Sequence, residues 1–191
     1  MMDIMIDLET CGTRPGCVVL SIGAVGFSRQ GAIHGMFYEE IKIVDSMERF
    51  TLHQEKGTME WWSRQSEAAR AIFTEERQLK AKVLEEVVDQ FRFWYGDMER
   101  KAGPIKGVWA QGQDFDFPIW AYATRETGRE VPWAEQFWLA RDCRTVTYVL
   151  DFNRDKVQNH GTQHKALDDA IYQTKCLVAA LGELHMLRNP L

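Results

Sequence analysis

The chain has 191 residues, 45% hydrophobic and 27% charged, a globular composition long enough to bury one core of ordinary size. Its formal net charge of -5 argues against non-specific wrapping of nucleic acid, which draws on surplus Lys and Arg, but leaves room for a substrate held through divalent cations. No stretch approaches the ~18 uninterrupted apolar residues of a membrane span, and Ile4 to Leu8 is too short for a secretory core, so no membrane association and no leader are predicted.

Residues 3 to 9 predict a first strand and residues 17 to 27, CVVLSIGAVGF, a second, joined as a hairpin across the Gly- and Pro-containing turn from Cys11 to Gly16. A third strand over about 35 to 43 completes an antiparallel meander. Short helical pieces follow to about residue 73, with Thr58 and Ser66 as N-caps, the latter backed by Glu67. Glu75 to about Asp97 reads as one longer helix carrying Leu79, Val83, Val87, Phe91 and Trp94 at helical spacing. After the break KAGP, IKGVWAQG predicts a short buried strand and DFDFPIWAYATRE a helix closing at Gly128. VPWAEQFWLARDCRTVTYVL predicts a strand running into a short helix. The polar loop NRDKVQNHGTQ then leads to a last helix from about His164 to His185, whose buried stripe is Leu167, Ala170, Ile171, Thr174, Leu177, Val178 and Leu181. A meander followed by alternating strands and helices implies a single α/β domain over residues 1–191, a mixed sheet with helices on both faces. The glycines of SIGAVG lack the strand-to-helix context of a phosphate loop and are assigned to sheet packing.

Asp7 and Glu9 interrupt the first strand. Side chains alternate along a strand, so the two acids share one face while Ile6 and Leu8 share the other. Their Cα atoms would stand roughly 6 to 7 Å apart, suited to converging on one or two divalent ions. An isolated D-x-E is more often the solvated face of an edge strand, so the pair needs company. It has company at Asp114 and Asp116, where a strand gives way to a helix, and at His164, Asp168 and Asp169, where the last helix begins. Singly these acids read as N-caps or as partners of a helix dipole. Three acidic sites and a histidine, each at an element boundary or sheet face, are not explained by coincidental capping. A zinc site built from His160 and His164 is disfavoured, because His160 precedes Gly161 in a polar loop and no H-E-x-x-H is present. The four cysteines form no C-x-x-C pair or regular framework, so the expected setting is a reducing cytoplasm.

IDLET, FDFPI and HKALDDA resemble the three motifs of the DEDDh 3'-to-5' exonucleases, a branch of the ribonuclease H-like fold. In that pattern D-x-E lies on the first strand, a second Asp follows an aromatic residue, and the third motif is His, four residues, Asp. The pattern selects Asp116 over Asp114 and Asp169 over Asp168, a tie that helical geometry leaves open. TMEWWSRQSEAARAIF resembles the W-W-x-x-Q segment of a small subgroup that includes phage T4 type exodeoxyribonucleases and mycobacterial exoribonucleases, so the likeness runs from Met5 to about Leu181. One departure is Gln111, where that subgroup commonly has Asn.

The resemblance implies two-metal hydrolysis at the 3' end of RNA or DNA, releasing nucleoside 5'-monophosphates. In it Asp7, Glu9, Asp116 and Asp169 hold two Mg2+ or Mn2+ ions, hard cations that prefer oxygen ligands. His164 becomes the general base, a residue type that exchanges protons near neutral pH, placed on a loop or first turn. Substrate contacts fall to Thr10, through its backbone N–H, and to Trp61, Trp62 and Gln65, one tryptophan packing inward and the other lining the nucleotide groove. Arg141 and Arg144 are divided evenly between phosphate binding and pairing with acids. The expected partner is single-stranded or 3'-overhang nucleic acid, and a homodimer is compatible with the resemblance. The competing class is a non-catalytic nucleic-acid-binding or partner module on the same fold. A missing acid would have favoured it, and none is missing.

Overall fold

Alternation along β1 (Met2–Thr10) sends Ile4, Ile6 and Leu8 into the larger core and turns Met5, Asp7 and Glu9 to the opposite face. The computed structural model describes residues 2–188, the last three by backbone only, so Met1 and residues 189–191 of the predicted 1–191 domain lie outside the described residues. β1 is the middle strand of a five-stranded sheet ordered β3-β2-β1-β4-β5, with β2 at Val19–Ser28, β3 at Ile33–Glu40, β4 at Ile105–Ala110 and β5 at Ala140–Asp142. The first three strands are antiparallel, and β4 and β5 run parallel to β1. This is the predicted meander plus parallel strands.

Between β3 and β4 come α1 (Ile43–Phe50), α2 (Lys56–Trp62), α3 (Glu67–Arg70), α4 (Glu75–Lys80) and α5 (Leu84–Ala102). Ser66 caps α3 by accepting from the Ala69 N–H at 3.2 Å. Thr58 is not an N-cap: α2 starts two residues earlier, after Glu55, whose N–H is drawn onto the Cys11 carbonyl at 2.8 Å. The single helix predicted from Glu75 to Asp97 is two. Ala81 and Val83 are extended, and Lys82 exchanges backbone hydrogen bonds with Glu40 and Lys42 of the β3 end, so long-range pairing overrides the helical period. Leu79, assigned to the apolar face, is accordingly exposed, while Val87 and Phe91 are buried. β3 ends at Glu40 rather than residue 43, with α1 starting at Ile43.

On the chain's second half, α6 (Gln113–Glu126) packs Ile119, Trp120 and Ala123 into the core shared with α5, and α7 (Cys143–Val149) follows the three-residue β5. The strand predicted before α7 is mostly 3-10 turns at Ala134–Leu139. α8 (Ala166–Arg188) lies across the opposite face of β1 and β2. Of its predicted stripe Ala170, Thr174 and Leu177 are fully buried, joined by Gln173, Cys176 and Ala180. No helix among the described residues is long and apolar enough to cross a membrane.

Gly23 sets how close α8 comes. It pairs with Asp7 across the β1–β2 ladder, and a Cβ there would fall 2.3 Å from the Ala166 carbonyl carbon and the Leu167 nitrogen. Because backbone cannot yield as a side chain does, Gly23→Ala is expected to destabilise the fold by about 3 kcal/mol and to displace the acids at the start of α8. Gly26→Ala, whose Cβ would meet the movable Met98 Sδ at 3.1 Å, is expected to cost under ~1 kcal/mol. Thermal melts of the two variants check the difference, and equal stability would remove Gly23 from this role.

Candidate active site

The ladder between β1 and β4 ends at Met5 and Trp109, which leaves the later β1 backbone groups open on that side. One of them, the Leu8 N–H, donates to Asp116 Oδ1 at 3.1 Å, fixing a buried carboxylate from the first turn of α6 against the strand that carries Asp7 and Glu9. Asp114, two residues earlier, is exposed at the rim. From the other side Gln173 of α8 donates Nε2 to Asp7 Oδ1 at 2.6 Å. One turn before Gln173, Asp169 accepts the His164 backbone N–H at 2.8 Å. Asp168 turns away to accept the Thr162 N–H at 3.0 Å and to pair with Lys165. The structure thus brings Asp7, Glu9, Asp116, Asp169 and His164 into one cleft of about 510 Å³.

His164 stands two residues before α8 in the left-handed region, at φ 63°, a conformation uncommon outside glycine but one that His adopts more readily than most side chains. Its ring is flanked edge-on by Trp61 at 4.8 Å and Trp62 at 6.1 Å between centroids. Trp62 is buried and donates Nε1 to the Thr10 carbonyl at 2.9 Å, whereas Trp61 is 37% exposed. The inward tryptophan is therefore Trp62, and Trp61 is the more exposed of the pair. Both line a second cavity, of about 520 Å³, that adjoins the acid cleft through the shared walls Leu8, Glu9 and Phe115. Thr10 lines this cavity too, and its Oγ1 donates to the Gly12 carbonyl at 2.6 Å. Gln65 lines neither cavity; its Nε2 donates to the Trp61 carbonyl at 3.0 Å, one turn back.

Burial raises all four carboxylates from their ordinary values. Burial holds Glu9 up at about 8, reinforced by the charges of Asp169 and Asp116. Burial also lifts Asp116, to about 7, against the opposing pull of the Leu8 N–H. Asp7 is raised by burial first and then by Asp116, Glu9 and Asp169, with Gln173 pulling the other way. Burial raises Asp169, and the His164 N–H opposes it. Such a set is costly unless cations share it. All-oxygen donors suit hard divalent ions. Glu9, His164 and Asp169 each offer a ligand atom, all within 4.8 Å of one another, so the residues present fit a metal group.

Several contributors escaped the sequence reading. Gln173 sits four residues after Asp169, so helical spacing from the third motif could have pointed to it. Arg154 in the 3-10 turn Arg154–Lys156, and Phe115 beside Asp116, carried no such signal. Of the two arginines divided between roles, Arg144 lines the cleft, whereas Arg141 donates Nη1 to the carbonyls of Trp138 and Ala140. Gln111 lines the cleft with its Oε1 buried and unpartnered among the described residues. His160 is exposed in the loop, away from any helical register with His164, which begins no helix itself.

Residues 2–181 match the family described as the Rv2179c-like 3'-5' exoribonuclease domain. The exodeoxyribonuclease of Enterobacteria phage T4 is 25% identical over 173 residues, 81% of this chain and 74% of the phage protein. In fold, the chain is similar to the nuclease domain of 3'hExo, a DEDDh family member bound to rAMP, with a TM-score of 0.63 at 13% identity over 95% of this chain and 92% of that one. E. coli Exonuclease I in complex with a dA16 oligonucleotide gives a TM-score of 0.62 at 14% identity, over 98% of this chain and 44% of that one. The mixed five-stranded sheet with its helices is the ribonuclease H-like exonuclease fold of these neighbours. The family match covers nearly all of the sequence, and the chain belongs to the Rv2179c-like 3'-5' exoribonuclease domain family, a family of 3'-5' exonucleases.

Proposed function

We propose that the chain is a divalent-metal-dependent 3'-to-5' exonuclease that removes nucleoside 5'-monophosphates from a single strand or a 3' overhang. The observation that carries the reading is the convergence of four carboxylates from β1, α6 and α8 in one cleft, Glu9 and Asp116 buried and Asp7 and Asp169 half-buried, all raised and none in an ion pair with Lys or Arg among the described residues. Asp7, Glu9, Asp116 and Asp169 would hold two Mg2+ or Mn2+ ions, which when bound supply charge neutralisation and an acidified water. His164 takes the proton of the attacking water, its ring held by the two tryptophans and its backbone by Asp169. The departing 3'-terminal nucleoside occupies the cavity beside Glu9 and Thr10, where Trp61 offers an aromatic face and Gln65 braces the turn beneath it.

Metal binding has a stability signature whose sign follows from the raised carboxylates. A carboxylate whose folded-state pKa exceeds its unfolded value favours the folded state at low pH and loses that contribution as pH rises through the folded value. Metal-free protein is therefore expected to lose stability between about pH 5 and pH 8, the window ending at the Glu9 value of about 8. Saturating Mg2+ or Mn2+ is expected to raise the melting temperature by about 5 to 10 °C at pH 8 and by much less at pH 5. Melts in EDTA and in each metal at both pH values test this; an upshift independent of pH would contradict the carboxylate site. The family's description names RNA and the phage relative's name DNA, so matched RNA and DNA strands digested side by side decide the sugar preference.

A further inference from the structure

Arg144 and Arg154 line the cleft of the four acids, yet neither forms an ion pair with a carboxylate among the described residues. The Arg154 guanidinium is held against an aromatic ring, and Arg144 is anchored through its backbone with an exposed side chain. Arg144 is the second residue of α7; its N–H donates to the Gln111 carbonyl at 3.1 Å, and its guanidinium lies 3.5 Å from where a Cβ on Gly112 would stand. Asp142 ties this corner together, accepting the Thr145 N–H at 2.5 Å with one oxygen and the Gln113 N–H at 3.0 Å with the other. Arg154 stacks its guanidinium over the Tyr172 ring, 5.1 Å from the centroid, while the Tyr172 hydroxyl donates to the Arg154 carbonyl at 3.2 Å. A planar guanidinium that lines the cleft without closing a salt bridge is suited to phosphate oxygens.

The side of the cleft on which they stand decides which phosphate. The acid cleft and the Trp61 cavity meet at Leu8, Glu9 and Phe115, and neither arginine touches the Trp61 cavity. With the terminal nucleoside in that cavity and the bond to be cut over the acids, the strand leaves in the 5' direction past the arginines. One turn further along α7 from Arg144, Tyr148 stands 84% exposed at the i, i+4 spacing that shares a helix face.

Resting on the exonuclease reading of the acid cleft, we infer that Arg144 and Arg154 bind the phosphate immediately 5' of the one that is cut, with Tyr148 as a stacking face for the base beyond it. The preferred substrate then carries at least one phosphate upstream of the scissile bond, and a bare dinucleotide is a poor one.

The test compares kcat/KM on a dinucleotide with a 5'-hydroxyl and on the same dinucleotide with a 5'-phosphate, in Mg2+, for the wild type and for Arg144→Ala, Arg154→Ala and Arg154→Lys. The 5'-phosphate is expected to raise wild-type kcat/KM by about 10-fold, each alanine variant to reduce that gain to under about 3-fold, and lysine to restore part of it. On a single strand of ten nucleotides, each alanine variant is also expected to flatten the log-log salt dependence of binding by about 0.7, the loss of one phosphate contact. A merely structural role would lower both dinucleotides alike and leave the ratio intact, and that result overturns the inference, as does a wild type that ignores the 5'-phosphate. Absence of wild-type turnover on either dinucleotide and on the ten-nucleotide strand would sink the exonuclease reading itself, and the inference with it.

Discussion

Asp7→Asn is expected to cut turnover by about 10³-fold while making the metal-free protein more stable at pH 8. The two effects share one cause. Asp7 is half-buried, held well above its ordinary value by desolvation and by the charges of Asp116, Glu9 and Asp169. Asparagine keeps the shape and the oxygen that accepts from Gln173, but removes a charge that no ion pair compensates among the described residues. A melting temperature raised by about 3 °C in EDTA, together with a smaller upshift in Mg2+, would mark a carboxylate retained for a cation rather than for folding. Loss of stability in EDTA by several degrees would instead make Asp7 a structural acid, held for its bond to Gln173.

Removing the histidine separates proton transfer from metal binding. His164→Ala is expected to lower turnover by about 10² to 10⁴-fold and to leave the metal-dependent rise in melting temperature within a few degrees of wild type. The left-handed backbone at φ 63° makes alanine a strained occupant, so His164→Asn serves as the companion variant, since Asn tolerates that region well. The distinction matters because His164 also lies close enough to Glu9 and Asp169 to share an ion with them. Turnover lost with the metal upshift intact assigns the proton-transfer role. Turnover and upshift lost together in both variants would assign His164 as a ligand.

The alternation of Ile6 and Leu8 against Asp7 and Glu9 was readable from the first strand because a two-residue period needs no distant contacts. The meander, the βα unit around Asp116 and the last helix followed from turn residues and spacing in the same way. Leu79 and the long helix around it were misread because the break at Ala81 to Val83 comes from Lys82 pairing with the distant β3 end, which no local period encodes. Within the site, the choices of Asp116 over Asp114 and of Asp169 over Asp168 came from motif spacing. The structure supplies a physical reason for the second: Asp168 is occupied by Thr162 and Lys165 on the loop side of α8. Arg154 gave no sequence signal, because a residue in a loop acquires its surroundings only when the loop packs against α8. Gly23 was correctly assigned to packing, but that its missing side chain admits the α8 backbone next to Asp7 depends on tertiary approach.

The most direct test of the four-acid cleft follows a single-stranded oligonucleotide labelled at its 5' end through a time course in Mg2+, in EDTA, and with Asp7→Asn. A ladder that shortens one nucleotide at a time from the 3' end, with nucleoside 5'-monophosphate as the released product, is expected only in the wild type with metal. Cleavage that persists in EDTA, or internal fragments without a ladder, would contradict the proposed function.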